Sequence, residues 1–178
     1  VEEPDPGAAH AIADLVAEMV KTGALQVNRF ATAGANAASL QGLEQRSVIR
    51  LDDDQYQFAH HILFDYAVAR AHLSAGQPIA KLLARDSVNG LMIAPALQYW
   101  VSIQMPRQRP EQLWRELGAR AVDEQIDAIV GTELARLGGE LVKDQFALEV
   151  LAKLGNENPD GVTAKFIWTA MAIQSALL

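Results

Sequence analysis

The sequence predicts a mainly α-helical fold that carries one short β-hairpin. Apolar residues recur at spacings of three and four along most of the chain, which is the period of a helix with a buried face. Residues 47–58 alternate instead, and Asp52, Asp53 and Asp54 divide them into two short strands. Half of the 178 residues are hydrophobic, so the chain can bury a substantial core.

Two helices are predicted before the hairpin, over residues 8–21 and 37–46. Gly23 is expected to end the first, because glycine readily adopts the left-handed conformation that closes many helices. Between the two helices, residues 25–30 indicate a short second helix or a turn. The three aspartates of the hairpin suit a tight turn, since Asp tolerates left-handed backbone geometry.

The stretch after the hairpin organises the rest of the predicted fold. Its apolar period changes from two to 3.6, so a helix is predicted to follow Phe58. One apolar face holds Ile62, Tyr66, Ala69 and Leu73, and another holds Phe64, Val68 and Ala71. Such a helix must be covered on more than one side, so Phe64 and Tyr66 are expected to be buried on opposite sides. A narrow polar stripe remains, formed by His61, Asp65 and His72.

Six positions across this junction share a spacing with a known family; they are Phe58, His60, Leu63, Asp65, Tyr66 and Ala69. The pattern resembles the winged-helix segment that follows the nucleotide-binding domain in NACHT-type signalling NTPases, the AAA+-related STAND class. The resemblance covers roughly residues 35–73. It implies a winged-helix domain over residues 1–74.

The resemblance also implies a role for His60. In that family the His of Phe-x-His reaches the phosphates of bound ADP and helps to hold a closed, inactive state. The implied partners of this fragment are its own nucleotide-binding domain and other protein domains, with self-association into a homo-oligomer on activation. The implied cofactor is ATP or ADP in the parent protein, and none in this fragment.

Residues 75–178 are predicted to form an α-helical, HEAT-like array, a resemblance of architecture and not of motif. The predicted helices cover residues 79–85, 88–104, 122–137 and 141–154, with a last one from about 162. Between the second and third of these, another helix is predicted to start at Pro110-Glu111 and to carry Leu113, Trp114 and Leu117. Pro95 is expected to interrupt or kink the helix over residues 88–104. Gly138-Gly139 and residues 155–161 are expected to be breaks between helices.

Other roles are also compatible with the sequence for the histidines at the junction between the hairpin and the helix. His60 could cap the helix or bond a neighbouring carbonyl instead of a phosphate. His61 and Asp65, four residues apart, suit an exposed ion pair. A metal site would need a third ligand such as His10 or His72. His60-His61-x-x-x-Asp65 also matches a motif of acyl-transferring condensation enzymes, but Tyr66 stands where that motif continues with Gly.

Charge argues against DNA as a partner. Residues 1–76 contain five Lys/Arg and ten Asp/Glu, a net charge of −5, and the predicted wing tip is acidic. Phosphate contacts supply most non-specific affinity, so nucleic acid is not expected to bind. No run of apolar residues approaches the roughly 18 that span a bilayer, and no membrane partner is expected.

The chain also lacks any phosphate-cradling loop, so it is predicted to be non-catalytic on its own. The zero cysteines suit a cytoplasmic location. The missing initiator Met favours a piece of a longer protein. Tyr99 and Trp100 are the interface candidates, because two adjacent aromatic residues on a helix cannot both face the same surface.

The sequence thus predicts the regulatory fragment of a NACHT/STAND-type signalling ATPase, which senses the nucleotide state and couples it to a helical array. Two alternatives remain open at this point. One is a nucleic-acid-binding winged-helix regulator, and the other is a helical scaffold for protein contacts.

Overall fold

The structure is a computed structural model that describes residues 6–32, 37–74, 82–83, 90–121, 123 and 125–141, and the single positions 145, 148, 149, 152, 153 and 156. These residues form a mainly helical protein with a small three-stranded antiparallel sheet. In chain order the elements are α1 (Pro6–Thr22), β1 (Val27–Asn28), α2 (Ala37–Gln45), β2 (Ile49–Asp52), β3 (Gln55–Phe58), α3 (His61–Ala67), a π-helical segment (Val68–Leu73), α4 (Gly90–Gln104), α5 (Pro110–Ala121) and α6 (Ala128–Glu140).

The predicted hairpin is confirmed, and its turn has two residues. Asp53 and Asp54 both take positive φ, at 45° and 61°, which is the geometry that matches the twist of paired strands. The register places Ile49 opposite Phe58. Arg29 forms an ion pair with Asp54 at 3.0 Å and thereby fastens the turn to the loop after β1.

A third strand was missed by the sequence reading. Val27 and Asn28 pair with β3, so the sheet has the order β1-β3-β2. No helix forms over residues 25–30, and the turn that the sequence also allowed there follows the strand, where the Ala31 N–H donates to the Asn28 carbonyl at 2.9 Å. The strand is only two residues long, too short for its own alternation to be visible. It forms because β3 offers an unpaired edge that satisfies backbone groups of the chain leaving α1.

The helices before the hairpin lie where they were predicted. Helix α1 buries Leu15, Val16 and Met19 and ends at Gly23, whose φ of 67° is the left-handed value expected of a helix stop. Helix α2 buries Leu40 and Leu43.

The predicted boundaries of the later helices are partly wrong. Helix α6 begins at Ala128, not near residue 122, because Asp127 caps it by accepting hydrogen bonds from the N–H groups of Ile129 and Val130. Gly138 and Gly139 lie inside α6 and do not break it. Helix α5 contacts α6 at this point, where the Trp114 indole N–H donates to the Gly138 carbonyl at 3.3 Å.

Helix α4 runs through Pro95, so of the two predicted effects of this proline, a kink or an interruption, the interruption does not occur. The predictions for residues 79–81, 84–89 and most of 141–178, including Trp168, lie outside the described residues. The division into domains 1–74 and 75–178 stays a prediction. Buried residues of α1, the sheet, α3, α4, α5 and α6 belong to one hydrophobic core cluster.

Two helical glycines provide a matched test of this packing. A Cβ at Gly131 in α6 would lie 2.8 Å from the carbonyl oxygen of Ala121, whereas a Cβ at Gly42 in α2 would meet nothing within 4 Å. Gly42→Ala is therefore expected to raise the free energy of unfolding by about 0.5–1 kcal/mol through helix propensity. Gly131→Ala is expected to lower it, since overpacking costs about 1–3 kcal/mol.

Urea unfolding of both variants measures the two effects. An equal stabilisation by the two substitutions would mean that α5 and α6 do not approach as closely as described.

Candidate functional site

The chain leaves the sheet and enters helix α3 through a short, well-defined junction. The Ala59 N–H donates to the Val48 carbonyl at 3.0 Å, and the His60 carbonyl accepts the first helical hydrogen bond from Leu63 at 3.0 Å. His60 has an extended backbone, with φ −139° and ψ 143°. Its position therefore marks the point where strand geometry changes to helix geometry.

The side chain of His60 is exposed and forms no capping hydrogen bond with α3. The imidazole therefore accepts no hydrogen bond from the free N–H groups in the first turn of α3. The alternative interpretation of His60 as a helix cap is wrong. The imidazole faces solvent at the end of β3, where it can meet another molecule or domain.

Two phenylalanines hold the junction in place. Phe58 ends β3 and Phe64 lies in the first turns of α3, and their rings meet edge to face with centroids 5.7 Å apart. Both are buried. The His61 ring packs edge-on against the same Phe64 ring at 6.5 Å. Such pairs contribute about 0.5–1.5 kcal/mol beyond the burial of apolar area, and they orient both elements.

Helix α3 is rotated relative to the expectation from the sequence. Tyr66 is 48% exposed and Ile62 is 64% exposed, so Tyr66 is not buried opposite Phe64. Asp65, which the sequence placed on an exposed stripe, is only 9% exposed. Because both faces of this helix are apolar, periodicity alone could not decide which one would meet α1 and α4.

Tyr66 packs instead against the ring of Tyr99 on helix α4, edge to face at 6.0 Å. Of the two interface candidates, Trp100 is 4% exposed and belongs to the core, whereas Tyr99 is partly exposed. The adjacent aromatic residues do face different ways, as the sequence reading expected.

A pocket of about 220 Å³ opens where α3, α4 and the turn after α1 meet. Its lining consists of Gly23, Leu25, His61, Phe64, Asp65, Leu91, Met92 and Pro95. The sequence reading missed all of the contributions from α4 and from the turn. The sequence signalled them only by the apolar run at the start of α4, in which Leu91 is 72% exposed and its neighbour Met92 is buried.

Asp65 gives this pocket an unusual polarity. Burial raises the pKa of its carboxyl group, and the nearby His61 opposes part of that rise. No hydrogen bond or ion pair joins the two side chains, and no residue in the described ranges donates a hydrogen bond to the Asp65 carboxylate. The expected exposed pair of His61 and Asp65 is therefore wrong, because α4 and the turn after α1 cover this side of the helix.

His72 lies further along, on the π-helical segment, and does not line the pocket. Its Nε2 atom is buried and has no hydrogen-bond partner among the residues that the structure describes, and burial lowers the pKa of the imidazole. Among the described residues no group of three or more His, Asp or Glu side chains is arranged to hold a metal ion. The histidines His10, His61 and His72 are therefore not brought together into such a site with Asp65.

Comparison with known proteins gives no assignment: no family model, no curated protein and no solved structure matches the chain. In the part of the chain that the structure describes, no helix combines the length and the apolar character needed to cross a bilayer.

Truncation of Phe64 and Tyr66 tests the orientation of α3. Phe64→Ala is expected to lower the free energy of unfolding by roughly 3–5 kcal/mol, because it removes a buried ring and leaves a cavity. Tyr66→Ala loses little more than the ring contact with Tyr99, about 0.5–1.5 kcal/mol. Chemical denaturation of both variants provides the comparison, and a larger loss for Tyr66→Ala would mean that the helix faces the other way.

The burial of Asp65 predicts a pH-dependent effect on stability. A pKa raised by folding means that the unfolded chain ionises first as the pH increases, so Asp65 lowers stability at neutral pH. Asp65→Asn is therefore expected to raise the melting temperature at pH 7. The gain is expected to shrink as the pH falls toward and below the ordinary Asp pKa of 3.8, where both states are protonated.

Thermal melts of the wild type and Asp65→Asn between pH 3 and 7 measure this effect. Asp52→Asn in the exposed hairpin is the control. A difference in melting temperature between the wild type and Asp65→Asn that does not change with pH would contradict the conclusion that burial raises the pKa of Asp65.

Proposed function

We propose that this chain is the regulatory segment of a NACHT/STAND-type signalling ATPase, in which it couples nucleotide state to a helical array without catalysing a reaction itself. The proposal extends the sequence resemblance carried by Phe58, His60, Leu63, Asp65, Tyr66 and Ala69. The observation that carries it is the exposed, uncapped imidazole of His60 at the end of β3.

The surroundings of His60 support a role in contacting a phosphate. Its backbone is held in an extended conformation, and Phe58 and Phe64 are buried on either side of it in the sequence. An exposed imidazole on such a backbone can donate a hydrogen bond to a phosphate oxygen. In the proposal, the phosphate belongs to ADP or ATP bound by the nucleotide-binding domain of the same protein, which is the partner of this segment.

The small sheet supports the winged-helix part of the proposal. A hairpin preceded by helices α1 and α2 and followed by α3 is the arrangement that the resemblance implies for residues 1–74. The additional strand β1 makes the sheet three-stranded and ties the end of α1 to the hairpin. The helices α4, α5 and α6, with α6 packed on both others, are the proposed start of the HEAT-like array.

The turn of the hairpin argues against the nucleic-acid alternative. Asp52, Asp53 and Asp54 are all exposed, and Arg29, the nearest cation, is already paired with Asp54. A tip of this kind repels a phosphate backbone. A helical scaffold for protein contacts is the second candidate function, and the exposed apolar side chains Ile62 and Leu91 favour it.

A pair of histidine variants in the full-length protein tests the proposal. If His60 donates to a phosphate of ADP in the closed state, His60→Ala removes a charge-assisted hydrogen bond worth roughly 1.5–3 kcal/mol. A tenfold or greater shift toward the open state is then expected, because the bond exists in only one of the two states. The readout is self-association without a trigger, followed by size-exclusion chromatography.

His10→Ala is the matched control, because this substitution also removes an exposed imidazole, in this case from α1. Equal self-association of the two variants would mean that His60 does not contact a phosphate. It would favour the helical scaffold for protein contacts.

A further inference from the structure

The pocket beside α3 combines an apolar lining with a carboxylate that receives no hydrogen bond from any described residue. Of its eight lining residues, His61 and Asp65 are the ones with ionisable side chains, and Leu25, Phe64, Leu91 and Met92 supply apolar surface. Leu25 and Leu91 are exposed, so the pocket can be reached from solvent. Pockets with apolar walls and a few convergent polar groups are the usual form of a small-molecule site.

The carboxylate of Asp65 decides what such a pocket can hold. Asp65 is 9% exposed as a residue, and no described residue donates a hydrogen bond to its carboxylate, whereas native structures satisfy most buried polar groups. A bound group with N–H donors and a positive charge would satisfy it. Breaking the solvation of a carboxylate is costly unless a counter-charge replaces the water.

The other classes of ligand fit poorly. An anion would meet the Asp65 carboxylate, and the described lining contains no Lys or Arg to compensate. A zinc ion would find one carboxylate and one imidazole there, fewer than the three or four protein ligands that zinc takes. A neutral apolar molecule would leave Asp65 even less solvated than before.

We propose that this pocket binds an organic cation, an ammonium or guanidinium group on a short apolar body, with Asp65 as its counter-ion. The apolar body packs against Phe64, Leu91 and Met92, and the cationic head reaches Asp65 beside His61. A volume of about 220 Å³ exceeds the roughly 150 Å³ of a cavity that accepts benzene, so a phenyl or butyl body with its head group has room.

Two sources can supply this chemistry, a free small amine or the Lys or Arg side chain of a partner protein. The site does not involve His60, and its occupant is independent of the proposed contact with nucleotide. If the His60→Ala test fails, the proposal of a cation site therefore still stands. If the cation site is refuted, the proposed contact between His60 and nucleotide still stands.

The test is an NMR titration of the protein with probes of matched shape and different charge. Benzylammonium and butylguanidinium are the cationic probes, benzyl alcohol is the neutral isostere and benzoate is the anion. We expect shift changes at Phe64, Asp65, Leu91 and Met92 with the cations, at about millimolar affinity for molecules of this size. Binding of benzyl alcohol or benzoate as tight as that of benzylammonium would overturn the proposal, as would an unperturbed pocket.

Asp65→Asn and Asp52→Asn separate the pocket carboxylate from the general negative charge of the protein. Affinity for both cations is expected to fall tenfold or more in Asp65→Asn and to be unchanged in Asp52→Asn. A similar loss in the two variants would mean that net charge, and not the pocket, attracts the probes. The comparison between charged and neutral probes uses the wild type alone and does not depend on how a variant folds.

A further probe, Nα-acetylarginine amide, distinguishes the two sources. If it binds at least as tightly as butylguanidinium, the pocket accepts a side chain attached to a peptide backbone, and a protein partner is the source. If the free cations bind and the arginine derivative does not, the source is a small amine. Either outcome supports a cation site, and binding of none of them refutes it.

Discussion

The edge-to-face contact between Phe58 and Phe64 determines how the sheet and the helices of this protein meet. One ring ends a strand and the other begins a helix, so the contact fixes both the point and the angle at which α3 leaves the sheet. Once Phe64 points into the core, the neighbouring Asp65 turns toward α4 and Tyr66 turns toward solvent, since successive helical side chains differ by about 100°. The pocket and the exposed His60 both follow from this one orientation.

Local sequence patterns predicted where helices and strands form better than they predicted which face of each helix is buried. The hairpin followed from alternation around three aspartates, and α1 followed from its apolar spacing and Gly23, because each of these signals is contained within a few residues. Strand β1 could not be found in that way, since two residues carry no period and pair only because β3 offers an edge. Asp123 and Asp127 delayed the start of α6, as hydrogen bonds to Asp side chains competed with an otherwise helical sequence.

The candidate site shows a similar division. The sequence predicted the strand-to-helix junction and the position of His60 in it. It did not predict that the Asp65 side chain points inward. That direction depends on α4 and on the turn after α1, which are distant in sequence from α3. A buried carboxylate without a donor reduces stability, and proteins commonly tolerate such a reduction where a group is needed for binding. His61 and Asp65 illustrate why an i,i+4 pair cannot be assigned to the surface from spacing alone.

The start of helix α4 touches the carboxylate that caps helix α6. A Cβ at Gly90 would overlap the Asp127 side chain, so the first residue of α4 is held against the acceptor that satisfies the first N–H groups of α6. Helix α4 also supplies Leu91, Met92 and Pro95 to the pocket. Any occupant that displaced this end of α4 would press on Asp127 and loosen the first turn of α6. The start of α4 and the first turn of α6 therefore depend on the position of one side chain, that of Asp127.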